Sequence, residues 1–276
     1  MLSFSGWDLY GNMCVTARQQ GTNILLNIFF GPVVNAASSI AGTVNGATIG
    51  FANNIITAFR PQIIINYAHQ QWDTFVKLIL NALQLSSFLL LAISIPILTD
   101  IHFILQLWLG QIPLHAPIFI RIILMSNILG VMNSIINIGI HATGKVKYLS
   151  IVSGSFYLFT LPIIYIAFKY NMPAWSAYLI QGIIMFVILV SNILILHKQI
   201  RAINIQLIIK TIMKIFLVWS IALIPAFFIY QNMQQSLWRF IFICFITFIT
   251  LCSATFIILL DKTQRIKLLQ KIRLHQ

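Results

Sequence analysis

Residues 173–196 read PAWSAYLIQGIIMFVILVSNILIL, a run without a single charged side chain. An α-helix needs about 20 apolar residues to cross the hydrocarbon core of a bilayer. Runs of similar length and composition recur along the chain and predict eight transmembrane helices. The predicted ranges are 7–30, 34–58, 74–97, 116–140, 147–168, 173–196, 211–230 and 237–260. The sequence therefore predicts an all-α polytopic membrane protein.

The composition of the whole chain agrees with this prediction. Of its 276 residues, 8% are charged and 59% are hydrophobic, and the mean hydropathy is +0.93. A soluble domain carries about 25% charged residues. The chain has four carboxylates, all of them Asp, and each lies near the end of an apolar run. A surface this poor in charge requires the bilayer as its solvent.

The Lys and Arg residues lie mainly in alternate connections between the predicted helices. They follow the second, fourth, sixth and eighth helices, whereas the other connections hold only Lys169 and Arg239. Because Lys and Arg are enriched in cytoplasmic loops, this bias predicts that both termini are cytoplasmic. Topology thus explains the net charge of +13, and we expect no nucleic acid partner. The basic tail is expected to be solvated, with contact to anionic membrane lipids as the alternative.

Two further segments are amphipathic and too short to cross a bilayer. They are Pro61 to about Asp73, and Ile101–Gly110, which has Trp108 near its end. The Trp ring is apolar and its N–H is polar, so the residue favours a membrane–water boundary. Both segments are predicted to be interfacial.

The residue types needed for catalysis do not come together in the sequence. Asp8, Asp73, Asp100 and Asp261 are single and scattered, and no His or Cys residues show metal-ligand spacing. The three Cys residues fall inside predicted helices and are interpreted as small apolar side chains. No glycine-rich phosphate-binding loop precedes a Lys. We therefore expect a protein that is not an enzyme and that binds no cofactor or metal.

The first predicted helix is unusual because polar side chains recur along one of its faces. Amides in hydrocarbon are costly unless they face a partner or water, so this stripe predicts a water-filled cavity. Interhelical hydrogen bonding is the alternative. Arg18 lies near the middle of the helix but off the stripe, and it faces either the cavity or another helix. The stripe consists of Asn12, Thr16, Gln19, Gln20, Asn23 and Asn27.

The second predicted helix carries small residues at four-residue intervals. Gly42, Gly46 and Gly50 form a ridge of the kind that lets a neighbouring backbone approach closely. We expect this ridge to serve helix packing. The amides of Asn35 and Asn45 on the same helix face either a partner or the cavity.

The opening two helices resemble the polysaccharide-exporting branch of the MOP (multidrug/oligosaccharidyl-lipid/polysaccharide) exporter superfamily, the Wzx-type flippases for lipid-linked O-antigen and related units. The resemblance covers residues 5–147. The motifs that carry it are Gly6-Trp7, Asn27–Gly31, Asn35-Ala36-Ala37, Arg60-Pro61-Gln62-Ile63 and Trp108-Leu109-Gly110.

The resemblance implies a fold of two six-helix lobes around a central cavity, often followed by two extra helices. In that frame residues 1–200 match the second lobe, and residues 201–276 supply two additional helices and a basic cytoplasmic tail. The first lobe has no counterpart in this sequence, so we expect the chain alone to be incomplete. It is then a fragment, a truncated gene product or half of a split protein, and a missing N-terminal lobe or a second copy completes it.

The resemblance also implies a substrate, a lipid-linked oligosaccharide of the undecaprenyl-diphosphate type, flipped across a bacterial inner membrane. A diphosphate requires positive charge and amide donors, and Arg binds it bidentately. The expected diphosphate-binding residues are Arg18 and Arg121, and the amides expected to meet sugar hydroxyls are Gln19, Asn23, Asn27, Asn35 and Asn45.

Three other functions are alternatives to a flippase. A multidrug exporter of the same superfamily would favour an acidic or aromatic cavity for organic cations. A membrane-embedded glycan polymerase or acyltransferase would require a long external loop with Arg or His, and no connection is long enough. A non-transporting membrane subunit is the remaining alternative.

Overall fold

The computed structural model describes residues 2–201 and 203–259, with side chains from residue 5 onward. This part of the chain contains helices and no strands. Seven helices are long and apolar enough to cross a membrane, all except the short α3. The helices are α1 (Leu2–Ala68), α2 (Trp72–Thr99), α3 (Ile101–Leu109), α4 (Ala116–Ala142), α5 (Lys147–Lys169), α6 (Ser176–Gln199), α7 (Ile205–Asn232) and α8 (Leu237–Ala254), followed by a π-helical turn (Thr255–Leu259). The prediction of an all-α polytopic membrane protein is confirmed.

Helix α1 is a hairpin of two arms, residues 2–30 and 32–68. Gly31 interrupts its helical geometry with φ 80° and ψ −178°, a conformation that is essentially restricted to glycine. The Ser38 hydroxyl donates to Asn23 Oδ1 at 3.3 Å. In one straight helix, residues this far apart in sequence would be separated by roughly 20 Å. The chain therefore reverses at Gly31, and the two arms correspond to the first two predicted helices.

The second arm extends further than predicted. It continues through Pro61 to Ala68, so the expected interfacial segment from Pro61 is a continuation of the helix and not a separate element. Ile63 is fully buried, and Tyr67 packs on Trp72 at the start of α2 with 5.6 Å between ring centroids. These contacts stabilise the extra turns despite the backbone hydrogen bond that proline removes.

The short segment after α2 forms the predicted helix, α3. Ile101 and Leu105 are buried, whereas Leu107 and Trp108 are exposed. Gly110 ends the helix with φ 71°. The amphipathic pattern thus predicted the element and its boundaries closely.

A buried ion pair joins the end of α2 to the start of α8. Asp100 is fully buried, and Arg239 donates from Nε to its Oδ2 at 3.0 Å and from Nη2 to its Oδ1. Arg239 also donates to the Met233 carbonyl at 3.2 Å and lies 4.9 Å from the Tyr230 ring centre. Asp100 is a single carboxylate, and its partner is a cation that lies far away in the sequence. The pair anchors α7 and α8 to the other helices.

Four polar side chains link α4, α5 and α6 in the interior. Asn192, which is fully buried, donates to Asn133 Oδ1 at 3.1 Å and to Asn137 Oδ1 at 3.0 Å. It accepts a hydrogen bond from Ser153 at 3.1 Å. Asn133 in turn donates to the Met185 carbonyl at 3.1 Å. These are interhelical hydrogen bonds of the kind that membrane proteins use in place of hydrophobic association.

Within the described residues, the glycine ridge of the second arm does not pack against a neighbouring helix. A Cβ added at Gly42, Gly46 or Gly50 would meet no atom within 4 Å, so the predicted packing role is wrong. Glycines outside this ridge do allow a neighbouring side chain to approach closely. A Cβ at Gly21 would lie 2.7 Å from Leu161, and one at Gly154 would lie 2.8 Å from Tyr10. These two glycines bring the first arm close to α5.

Asp261 and the predicted basic tail lie outside the described residues.

Candidate functional site

A polar cavity of about 540 Å³ lies between the two arms of α1, α4 and α6. Within the described part of the chain, no carboxylate lines it. Its polar lining consists of Arg18, Gln19, Thr22, Asn23, Ser38, Ser39, Thr43, Asn45, Ser126, Asn127, Tyr178 and Gln181. The lining of this cavity, among helices long and apolar enough to cross the membrane, is polar and carries one positive charge, that of Arg18.

Arg18 lies where the first arm meets α5 and α6, and it also lines the cavity. Its guanidinium carbon is 4.8 Å from the centre of the Tyr157 ring on α5. Its Nη1 donates to Gln181 Oε1 on α6 at 3.5 Å. The sequence left two orientations open for Arg18, toward the cavity or toward another helix. The structure shows both, because the side chain lines the cavity and also contacts α5 and α6.

Hydrogen bonds fix the wall around Arg18. Gln181 donates from Nε2 to the Thr22 hydroxyl at 3.0 Å, and that hydroxyl donates to the Arg18 carbonyl at 2.8 Å. Nearby, the Tyr178 hydroxyl donates to Ser38 at 2.6 Å. Tyr178 and Gln181 thus tie α6 to both arms of α1. Such contacts hold a binding surface in place before a ligand arrives.

Four of the seven predicted binding residues line this cavity. They are Arg18, Gln19, Asn23 and Asn45. The helical period explains the grouping, since Gln19 and Asn23 share one face of the first arm and Asn45 faces them from the second arm.

Asn27 and Asn35 do not line the cavity. Each lies about one helical turn closer to Gly31 than the nearest lining residues, Asn23 and Ser38, and so lies beyond the end of the cavity. Asn27 is exposed, whereas Asn35 is half-buried.

Arg121 does not line the cavity either. On α4 the lining residues include Ile123, Ser126 and Gly130. At about 100° per residue, Arg121 points to nearly the opposite side of the helix. The sequence placed it correctly in a span, but its helical phase directs it away from the other predicted residues.

Sequence reasoning missed the contributions of α4 and α6. Ser126, Asn127, Tyr178 and Gln181 were not among the predicted binding residues. A signal was present in their spacing, because Ser126 and Gly130, like Tyr178 and Gly182, place a polar and a small residue four positions apart on one face. Tyr157 carries no such signal, since only the tertiary fold brings it beneath Arg18.

The residues that the structure describes contain no group of three or more His, Cys, Asp or Glu that could hold a metal ion. Comparisons with protein families, curated proteins and solved structures give no match to this chain. The functional argument therefore rests on the cavity itself.

Proposed function

We propose that this chain takes part in the translocation of lipid-linked oligosaccharide units across a bacterial cytoplasmic membrane, for the synthesis of O-antigen or a related surface polysaccharide. In this proposal both termini are cytoplasmic, as the Lys and Arg distribution predicts. The resemblance of residues 5–147 to Wzx-type flippases suggested this function, and the chemistry of the cavity supports it.

The observation that carries the proposal is a cavity, lined by helices long and apolar enough to cross a membrane, that combines one guanidinium with many neutral polar groups. Arg18 supplies the positive charge, and amides such as Gln19, Asn23 and Asn45 supply donors and acceptors. A lipid-linked oligosaccharide presents a diphosphate and sugar hydroxyls, which match these two kinds of group. The lipid tail can remain in the bilayer while the polar part crosses through the cavity.

The residues that line the cavity also disfavour the export of organic cations. A cationic drug needs a carboxylate or an aromatic cage that is free to receive it. No carboxylate is present among the described lining residues, and their single aromatic side chain, Tyr178, does not make a cage. The cavity thus favours an anionic ligand over a cationic one.

Complementation tests the proposal. In bacteria that lack their own polysaccharide flippase, the chain is produced alone and as a fusion behind the first six helices of the missing flippase. We expect the fusion to restore surface polysaccharide and the chain alone not to restore it. Ethidium resistance, measured in the same cells, should stay unchanged. A fusion that reaches the membrane at normal levels and restores no polysaccharide would contradict the proposal.

A further inference from the structure

Ten buried side-chain N and O atoms have no hydrogen-bond partner among the described residues, and three of them belong to residues that line the cavity. They are Nε of Arg18, Oδ1 of Asn45 and Nδ2 of Asn127. They come from the first arm, the second arm and α4, yet all three residues line the same cavity. Buried polar atoms are normally satisfied, since an unpaired one destabilises the folded state. Three of them on one cavity indicate partners that come from a bound ligand.

Asn127 makes the case most clearly. Its side chain is 6% exposed, so bulk water offers it little compensation. Two turns further along α4, Asn133 is also buried and has both amide atoms bonded, to Asn192 and to the Met185 carbonyl. On this helix the Asn133 amide, which serves packing, has its hydrogen-bond partners. The amide nitrogen of Asn127, which lines the cavity, has none among the described residues.

We propose that Arg18, Asn45 and Asn127 form a three-point subsite for a sugar phosphate, the part of the lipid-linked substrate where the first sugar joins the phosphate. Arg18 Nε and Asn127 Nδ2 are donors and bind oxygens of the phosphate or the sugar. Asn45 Oδ1 is an acceptor and binds a sugar hydroxyl. This assignment rests on the proposed function and adds α4 to the residues that recognise the substrate.

The three atoms define what the ligand must carry. Sulfate offers acceptors only and leaves Asn45 Oδ1 without a donor. Glucose offers hydroxyls but no anionic oxygen for the guanidinium. Glucose 1-phosphate offers both a hydroxyl donor and anionic oxygens, so it is a probe that can satisfy all three atoms.

The test is thermal unfolding of the purified full-length chain in detergent, with each probe in turn. At ten times its dissociation constant, glucose 1-phosphate should raise Tm of the wild type by about 3 °C. Glucose and sulfate at the same concentration should each give a smaller shift. No shift with glucose 1-phosphate, or an equal shift with sulfate, overturns the assignment.

Two matched variants separate a ligand-binding amide from a structural one. Asn127→Leu removes an unsatisfied group, so Tm without ligand should equal or exceed that of the wild type, and the glucose 1-phosphate shift should disappear. Asn192→Leu removes the satisfied amide at the centre of the interior network, so Tm should fall and the shift should remain. If the second variant yields no folded protein, Ser153→Ala takes its place, because it removes only one of those hydrogen bonds.

The opposite pattern overturns the assignment. This would be a retained shift in Asn127→Leu, or a Tm for that variant as low as that of Asn192→Leu. Because binding is measured without translocation, the two proposals fail separately. If the fusion restores polysaccharide but the purified chain shows no shift, the subsite alone is refuted. If the chain shows the shift but a fusion present at normal membrane levels restores no polysaccharide, the transport function alone is refuted.

Discussion

Removal of Arg239 should destabilise the protein more than most single substitutions. Asp100 is fully buried, and Arg239 supplies both of its charge-assisted hydrogen bonds. Arg239→Leu leaves that carboxylate without its partner in the interior, which typically costs about 3–5 kcal/mol. A chain of this length loses about 2–4 °C in Tm for each kcal/mol, so the expected decrease is about 6–20 °C. The assay is thermal unfolding of the purified protein, followed by tryptophan fluorescence.

The double variant Asp100→Leu/Arg239→Leu is the matched control. It removes both charges together with their desolvation cost, so its stability should return close to that of the wild type. The Met233 carbonyl loses a donor in both variants, and that loss therefore cancels in the comparison. A single variant that loses less than about 1 kcal/mol, the range of an exposed pair, would refute the reasoning. So would a double variant as unstable as the single one.

Three other predictions concern the backbone, the topology and the assembly. Gly31→Ala should lower the free energy of unfolding by about 1–3 kcal/mol, because its backbone conformation is restricted to glycine. Gly46→Ala, at a helical position that faces open space, should leave the free energy of unfolding unchanged or raise it by about 0.5–1 kcal/mol. Denaturant unfolding of the Gly31→Ala and Gly46→Ala variants measures this difference. Reporter fusions after Gln111 and after Lys147 should report opposite sides of the membrane, and the same side for both would refute the topology. The chain expressed alone should self-associate through the exposed amides of α1, since lipid cannot satisfy them, and a monodisperse monomer in light scattering would contradict this.

The fold was largely predictable because the bilayer imposes length and polarity on each span. The apolar runs located all the long helices, and the amphipathic pattern located α3. The predicted ranges 7–30 and 34–58 left Gly31 between the first two helices, and its φ of 80° explains why glycine is present there. Pro61 misled the prediction, because proline is a helix breaker only when tertiary contacts do not compensate for it.

The candidate site was only partly predictable. The amide stripe identified one side of the cavity, since helical period alone places Gln19 and Asn23 together. The opposite walls depend on how α4 and α6 are rotated, and a single sequence carries little information about that rotation. The same uncertainty explains the misplacement of Arg121. The unsatisfied amide of Asn127 could be recognised only once every neighbouring atom had been located.

The central claim is that Arg18 binds the phosphate of the substrate within this cavity. The direct measurement compares surface polysaccharide and membrane protein level in the same cells, for Arg18→Ala and Arg18→Lys in the fusion protein. Loss of a charge-assisted hydrogen bond should reduce export at least about tenfold in Arg18→Ala, with no loss of protein. Arg18→Lys should retain partial export, because it keeps the charge but not the planar donor geometry. Normal export by Arg18→Ala, or a loss of export that only follows a loss of folded protein, would contradict the account.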